Sequence, residues 1–259
     1  MEKKLDINDY KNNIKCKMYC NDPYNINSLI ISCHGFGGNK KNAATKKIAE
    51  SFLKKYDDVA VLAFDWPCHG EDIKQKLKLD DCMEYFDSVI NYAKEEIKAE
   101  NLFLQATSFG GYLSLKYINE KNNPFKKIAY RCPAINMYDL LTKKVLSEDD
   151  LYLIDKGKTV QVGFNRKIKV DKELLEELYE NDVRKLDFVD ESEKILITQG
   201  TNDELVPYDE VRDFADNNII EFRTVEGADH LFSNPAKMRK YIDYVEELYG
   251  EELDKNMTK

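Results

Sequence analysis

The sequence predicts an α/β protein in which a mostly parallel sheet is covered by helices. Short apolar, β-rich segments alternate with helical stretches along most of the chain, the rhythm of strands joined by helical crossovers. Leu29-Ile30-Ile31, residues 59–64 and Ile195-Leu196-Ile197 are continuously apolar, as strands buried on both faces of a sheet read. The 259 residues suffice for one large α/β domain or two small ones, and a chain of this length needs neither disulfide nor metal to fold.

In chain order the predicted strands are 14–20, 28–33, 59–64, 101–106, 127–131, 194–198 and 219–224. The predicted helices are 43–56, 80–100, 111–119, 208–217 and 235–249. The last carries Met238, Tyr241, Ile242 and Val245 at spacings of three and four, which gives it one face to lay on the sheet. From 134 to 190 the rhythm breaks. A short helix near 137–146 is followed by an acidic turn at 147–150. The alternating segment 159–170, with Gly163 and Asn165 near its middle, then reads as a hairpin. Asp171 is placed to cap a helix over 172–181. Connections this long between core strands usually cover a site or carry function. The expected organisation is a core of 1–133 and 191–259 with a cap insertion at 134–190; a surface embellishment is the alternative. Residues 251–259 read as a frayed polar tail.

Composition narrows the function. Hydrophobic residues make up 42% and charged residues 34%, with a net charge of −9. Without a basic stripe there is nothing to replace phosphate counterions, so nucleic acid is not an expected partner. Residues 1–13 lack the apolar centre of a secretory signal, and no apolar run is long enough to span a bilayer. The cytoplasm, with no membrane partner, is the expected location. Cys16, Cys20, Cys33, Cys68, Cys82 and Cys132 fit free thiols in a reducing compartment. Cys16 and Cys20 have no second pair to complete a zinc site.

The chemistry-bearing strings lie at predicted strand ends. Leu102-Phe103-Leu104-Gln105-Ala106-Thr107-Ser108-Phe109-Gly110-Gly111 reads as a strand, a serine and a helix start. A nucleophilic serine needs such a tight turn to hold its hydroxyl above the sheet, with small residues two before and two after it. Here these are Ala106 and Gly110; the usual motif has glycine at both. The helix N-terminus behind Ser108 offers free N–H groups to a developing oxyanion. His34-Gly35-Phe36-Gly37-Gly38 follows the strand 28–33 and can present a second N–H. The expected oxyanion hole is therefore the backbone N–H groups of Phe36 and Phe109.

A serine hydroxyl also needs a base and an orienting acid. Of the three histidines, His34 belongs to the oxyanion loop and His69 to the turn Asp65-Trp66-Pro67-Cys68-His69-Gly70. His230 lies after the last predicted strand, where that loop opens at the carboxyl end of the sheet, and is the expected base. Asp203, just beyond the apolar strand 194–198 and Gly200, is the expected acid; Glu204, Asp229 and Asp65 are its rivals.

Five strings in this order, His34-Gly35-Phe36-Gly37-Gly38, Asp65-Trp66-Pro67-Cys68-His69-Gly70, Ala106-Thr107-Ser108-Phe109-Gly110, Gly200-Thr201-Asn202-Asp203 and Gly227-Ala228-Asp229-His230, resemble the α/β-hydrolase superfamily. In style the chain is similar to small bacterial serine carboxylesterases of the cinnamoyl and feruloyl esterase group. The resemblance implies an α/β-hydrolase fold with an eight-stranded, mostly parallel sheet and a cap after the sixth strand. It also implies a Ser108–His230–Asp203 triad, a small-molecule ester substrate, and no metal or organic cofactor. Met137, Tyr138 and Phe164, apolar or aromatic residues of the insertion, are candidates for the substrate pocket. A thioesterase, a serine peptidase or a non-catalytic binding protein on the same fold are the alternatives.

Overall fold

The computed structural model describes residues 1–9, 11–163 and 166–257. Its main sheet has eight strands: β1 (Glu2–Asn8), β2 (Asn13–Cys20), β3 (Ser28–Cys33), β4 (Val59–Phe64), β5 (Asn101–Thr107), β6 (Lys127–Arg131), β9 (Ile195–Gly200) and β10 (Glu221–Val225). Their order across the sheet is β1-β2-β4-β3-β5-β6-β9-β10. β1 pairs antiparallel with β2, and β2 with β4; every other neighbouring pair is parallel.

The continuous apolarity of the central strands has a direct cause. Leu29, Ile31, Ala60 and Leu62 face one core, whereas Ile30, Val59 and Val61 face another on the opposite side. Helices α1 (Ala43–Phe52) and α8 (Pro235–Met257) cover the second side. Helices α2 (Leu79–Glu95), α3 (Phe109–Glu120) and α7 (Tyr208–Asn217) cover the first.

Two expectations need correction. β1 escaped the reading by apolarity because it is a charged edge strand with only Ile7 buried; such charge keeps an edge from pairing with other chains. The supposed tail is helical through Met257, and Leu248, Tyr249 and Leu253 extend the apolar stripe of α8 onto the core.

The connection after β6 holds α4 (Met137–Leu140), which widens into a five-residue turn closed by Leu146 N–H donating to Leu141 O. The predicted acidic turn is the start of α5 (Glu148–Asp155), where Ser147 and Asp150 form a capping box. The hairpin is β7 (Val160–Val162) against β8 (Ile168–Val170). α6 (Lys172–Glu180) begins at Asp171, whose side chain accepts from Leu174 N–H as expected of an N-cap. Leu141, Ile154, Ile168, Val170 and Leu174 belong to the same core as α2 and α3. The connection therefore folds onto the body. No helix among the described residues is long and apolar enough to cross a membrane.

Candidate active site

Ser108 sits between the last residue of β5 and the first of α3, with φ +53° and ψ −118°. A non-glycine residue in this region is strained and must be held by its surroundings. Here the serine N–H donates to Arg131 O (3.2 Å), and its carbonyl accepts from Tyr112 N–H and Ala134 N–H (both 3.1 Å). Glycine at 110 is a matter of space. A Cβ there would lie 2.7 Å from His34 O and 2.8 Å from Cys33 O, because the elbow crosses directly over the end of β3. Ala106 is buried in register with Cys33 and fits without glycine.

The 34–38 loop runs beside the serine. A Cβ on Gly35 would come within 3.1 Å of Ser108 Cβ and 3.6 Å of its Oγ. Among the described residues no hydrogen bond engages the amide N–H of Phe36 or Phe109. Their rings meet edge to face with centroids 5.7 Å apart, and His69 completes the cluster at 5.6 Å from Phe36 and 5.9 Å from Phe109. The side chains are thus packed while the backbone donors stay open.

Both other histidines are fastening residues, as expected. His34 Nδ1–H donates to Gly35 O (2.8 Å), leaving Nε2 to accept from Trp66 N–H (3.3 Å). Trp66 Nε1–H returns a bond to His34 O (3.1 Å). His69 Nδ1–H donates to Pro67 O (2.8 Å), and its buried Nε2 has no partner among the described residues. Burial pushes the imidazole of His34 down to about 4. Burial, together with its neighbour His34, pushes His69 to about 3. Asp65 holds the adjoining turn by accepting from Lys40 N–H (2.7 Å), Glu71 N–H (2.8 Å) and the buried Lys40 ammonium. Gly70, at φ +52°, leaves no room for a side chain, since a Cβ would fall 2.3 Å from the Asp65 carboxylate.

Asp203 and His230 meet at the carboxyl edge of the sheet. Their loops interlock: Asn202 N–H donates to Ala228 O (3.0 Å), and a Cβ on Gly200 would lie 2.2 Å from that same oxygen. His230 Nδ1–H donates to Asp203 Oδ2 (2.8 Å). Gln199 Nε2–H donates to the same oxygen (3.0 Å), while Leu205 and Val206 N–H donate to Oδ1 (both 2.9 Å). Burial alone would raise the Asp203 carboxyl; the bonds from His230, Val206 and Cys132 outweigh it, so the group lies below its ordinary value. No hydrogen bond joins the Ser108 hydroxyl to His230 among the described residues. The rival acids are placed elsewhere. Asp229 accepts from Ser233 N–H (2.7 Å) in its own turn, Asp65 holds Lys40, and Glu204 is exposed.

Ligand atoms of Cys132, Asp203 and His230 lie within 4.8 Å of one another, the one such grouping among the described residues. The carboxylate already has four nitrogen donors, and the imidazole Nδ1 is one of them. The grouping thus has the donor set of a supported acid–base pair, with the thiol alongside.

A shallow groove opens between the start of the insertion and the acid loop. Ala134, Ile135, Leu140, Leu205, Val206 and Pro207 give it apolar walls, with Asn136, Asp139, Lys143, Lys144 and Glu210 as polar lining. Its floor adjoins both halves of the site, because Ala134 bonds the Ser108 carbonyl and Val206 bonds Asp203. Met137 is buried in the core and Tyr138 packs edge-on against Tyr179 (5.2 Å); neither lines the groove. Phe164 lies outside the described residues. The reading by apolar character named Met137 and Tyr138, whereas the residues of the insertion that line the groove are their neighbours. The proline-led exit from β6, Pro133-Ala134-Ile135-Asn136, was the available signal.

Residues 28–158, just over half of the chain, match the family described as alpha/beta hydrolase fold. No curated protein matches the sequence. Among solved structures, Est1E from Butyrivibrio proteoclasticus with ferulic acid bound is similar at 20% identity and a TM-score of 0.74, over 95% of this chain and 99% of that one. A putative hydrolase from Agrobacterium vitis is similar at 15% identity and a TM-score of 0.73, over 96% and 98%. A monoacylglycerol lipase from Paleococcus ferrophilus is similar at 17% identity and a TM-score of 0.64, over 92% and 98%.

Proposed function

We propose, for a chain that belongs to the alpha/beta hydrolase fold family, a serine hydrolase that cleaves carboxylic esters through an acyl-enzyme. The observation that carries this reading is the Asp203–His230 bond of 2.8 Å, on the sheet edge where Ser108 sits on a strained strand-to-helix turn. With Nδ1–H given to Asp203, the imidazole keeps Nε2 free to accept a proton. In the proposed reaction His230 takes the proton from Ser108 as the hydroxyl oxygen attacks the ester carbonyl. The oxyanion is received by the N–H groups of Phe36 and Phe109, which no hydrogen bond engages among the described residues. His230 then protonates the leaving alcohol, activates water, and the acid is released from Ser108.

We assign the insertion at 134–190 as a cap. Two contacts support this. Gly163 lies against the oxyanion loop, where its added Cβ would be 3.9 Å from Gly37 Cα. Arg166 donates to the carbonyls of His69 (3.2 Å), Gly70 (2.8 Å) and Asp72 (2.6 Å). The apolar groove suits the carbon skeleton of one half of an ester. Six free, buried cysteines fit a reducing compartment, and we place the protein in the cytoplasm.

Labelling by a fluorophosphonate probe, followed by turnover of aryl esters (a ferulate ester among them), acyl thioesters and peptides, tests the proposal. Wild type should label and hydrolyse esters best, and Ser108→Ala should do neither. Equal labelling of the two proteins, or no labelling of wild type, would overturn the mechanism. A clear preference for thioesters or peptides would overturn the substrate class.

A further inference from the structure

We infer that Arg131 is a positioning residue for this reaction, its guanidinium fixing the loop of His230 relative to the elbow of Ser108. The inference rests on the serine-hydrolase reading above. Arg131 ends β6, paired with Thr107 of β5 on one side and Thr198 of β9 on the other. Its carbonyl accepts the Ser108 N–H at 3.2 Å. Its side chain crosses to the other half of the site, where Nη1–H donates to Leu231 O at 3.2 Å. One residue thereby bonds both the nucleophile and the residue that follows the base.

The surroundings of the guanidinium are unusual. Arg131 is 5% exposed, yet among the described residues it forms no ion pair with a carboxylate, and its Nε has no partner. The cation lies over the rings of Phe232 (5.6 Å) and Tyr241 (5.7 Å), with Met238 Sδ at 3.5 Å. Aromatic faces repay part of the desolvation of a buried cation, but a methionine or leucine of similar volume would serve packing better. The charge is explained by what it grips. Phe232, two residues past His230, has φ +55°, a left-handed conformation that a phenylalanine adopts only when held there. Arg131 clasps both sides of that strained turn, through the carbonyl of Leu231 and the ring of Phe232. Since the Ser108 hydroxyl and His230 form no hydrogen bond among the described residues, their approach depends on how their two loops are held, and Arg131 bonds both.

The test compares Arg131→Met and Arg131→Lys with wild type, using p-nitrophenyl acetate turnover and the rate of fluorophosphonate labelling. Arg131→Met should lower kcat by at least about tenfold and slow labelling in parallel, with KM within about twofold, because misplacement of a base affects the chemical step and not binding. Arg131→Lys keeps a cation that can reach Leu231 O, and should recover kcat to within about threefold of wild type. A merely structural arginine predicts a lower Tm, with kcat per folded molecule unchanged. That outcome, a loss confined to KM, or no recovery by lysine would overturn the inference. Should Arg131→Met not fold, Phe232→Leu removes the ring from beneath the guanidinium. It should lower kcat about fivefold at constant KM, and an unchanged kcat counts against the inference. Absence of labelling in wild type would instead sink the hydrolase reading, so the two failures are distinguishable.

Discussion

The two arms of the candidate site are built in opposite ways. On the acid–base arm, the Asp203 carboxylate accepts hydrogen bonds from four nitrogen donors among the described residues, and its side chain is fully buried. On the oxyanion arm, the loop is fastened by His34, Trp66, Asp65 and Lys40, but the N–H groups of Phe36 and Phe109 are engaged by nothing among the described residues. The first arm satisfies its charged group within the fold; the second leaves two donors open, as the proposed reaction requires for a charge that exists only while it proceeds. The contrast is physically sensible. A permanent carboxylate must be solvated by the protein at all times, whereas donors prearranged for a transient oxyanion need no reorganisation when it forms.

After Ser108→Ala, the largest effect should come from breaking the acid–base arm at Asp203. Asp203→Asn keeps the shape but places an amide against the imidazole, which favours the wrong tautomer. kcat should fall by about 10³–10⁴-fold. Steady-state kinetics with KM nearly constant would bear this out; a loss under tenfold would mean that Asp203 does not orient the base. The oxyanion arm breaks differently. In Gly35→Ala the new methyl would sit 3.1 Å from Ser108 Cβ, and either the serine or the Phe36 turn must yield. A fall in kcat of about 10–100-fold is expected, less than full removal of a donor. Retained kcat with raised KM would show that this loop binds substrate without stabilising the transition state.

Acid should separate the arms next. His34 and His69 are neutral in the fold, held to about 4 and about 3 against an ordinary 6.5. Because the folded values lie lower, the unfolded chain takes up protons first as pH falls. Stability is therefore full above 6.5 and is lost as pH drops through the window toward 4 and then 3. Between 6.5 and 5 ordinary carboxylates scarcely titrate, so a decline in Tm there reports the histidines of the oxyanion side. His69→Phe, which retains the ring cluster, should flatten that decline. An unchanged slope would mean that His69 is not the group responsible.

The same contrast governs what the sequence disclosed. Sheet strands buried on both faces are legible as unbroken apolar runs, and the glycines near Ser108 and Asp203 are legible because backbone crossings at 110 and 200 leave no room for a Cβ. β1 was not, since a charged edge strand has no apolar signature. The groove was not either. Its lining combines Ala134 to Asn136 with Leu205 to Pro207, residues some seventy positions apart whose proximity depends on β6 and β9 being neighbours. Arg131 and Gln199 were invisible for a related reason: each is one polar residue at a strand end, and only the fold reveals what it grips.

Gln199 gives the finest test of the acid–base arm, because it asks whether four bonds to Asp203 exceed what is needed. Its Nε2 donates to Asp203 Oδ2 (3.0 Å) and Val206 O (3.1 Å), while its buried Oε1 has no partner among the described residues. Gln199→Leu removes a useful donor and an unsatisfied acceptor at once. The lost bonds cost about 1 kcal/mol each, and relief of the orphan oxygen returns a comparable amount. Tm should therefore stay within about 3 °C of wild type while kcat falls about fivefold, as the carboxylate gains freedom to turn away from Nδ1. A large drop in Tm with kcat preserved would make Gln199 part of the fold alone, and would leave the remaining donors as sufficient to hold the acid.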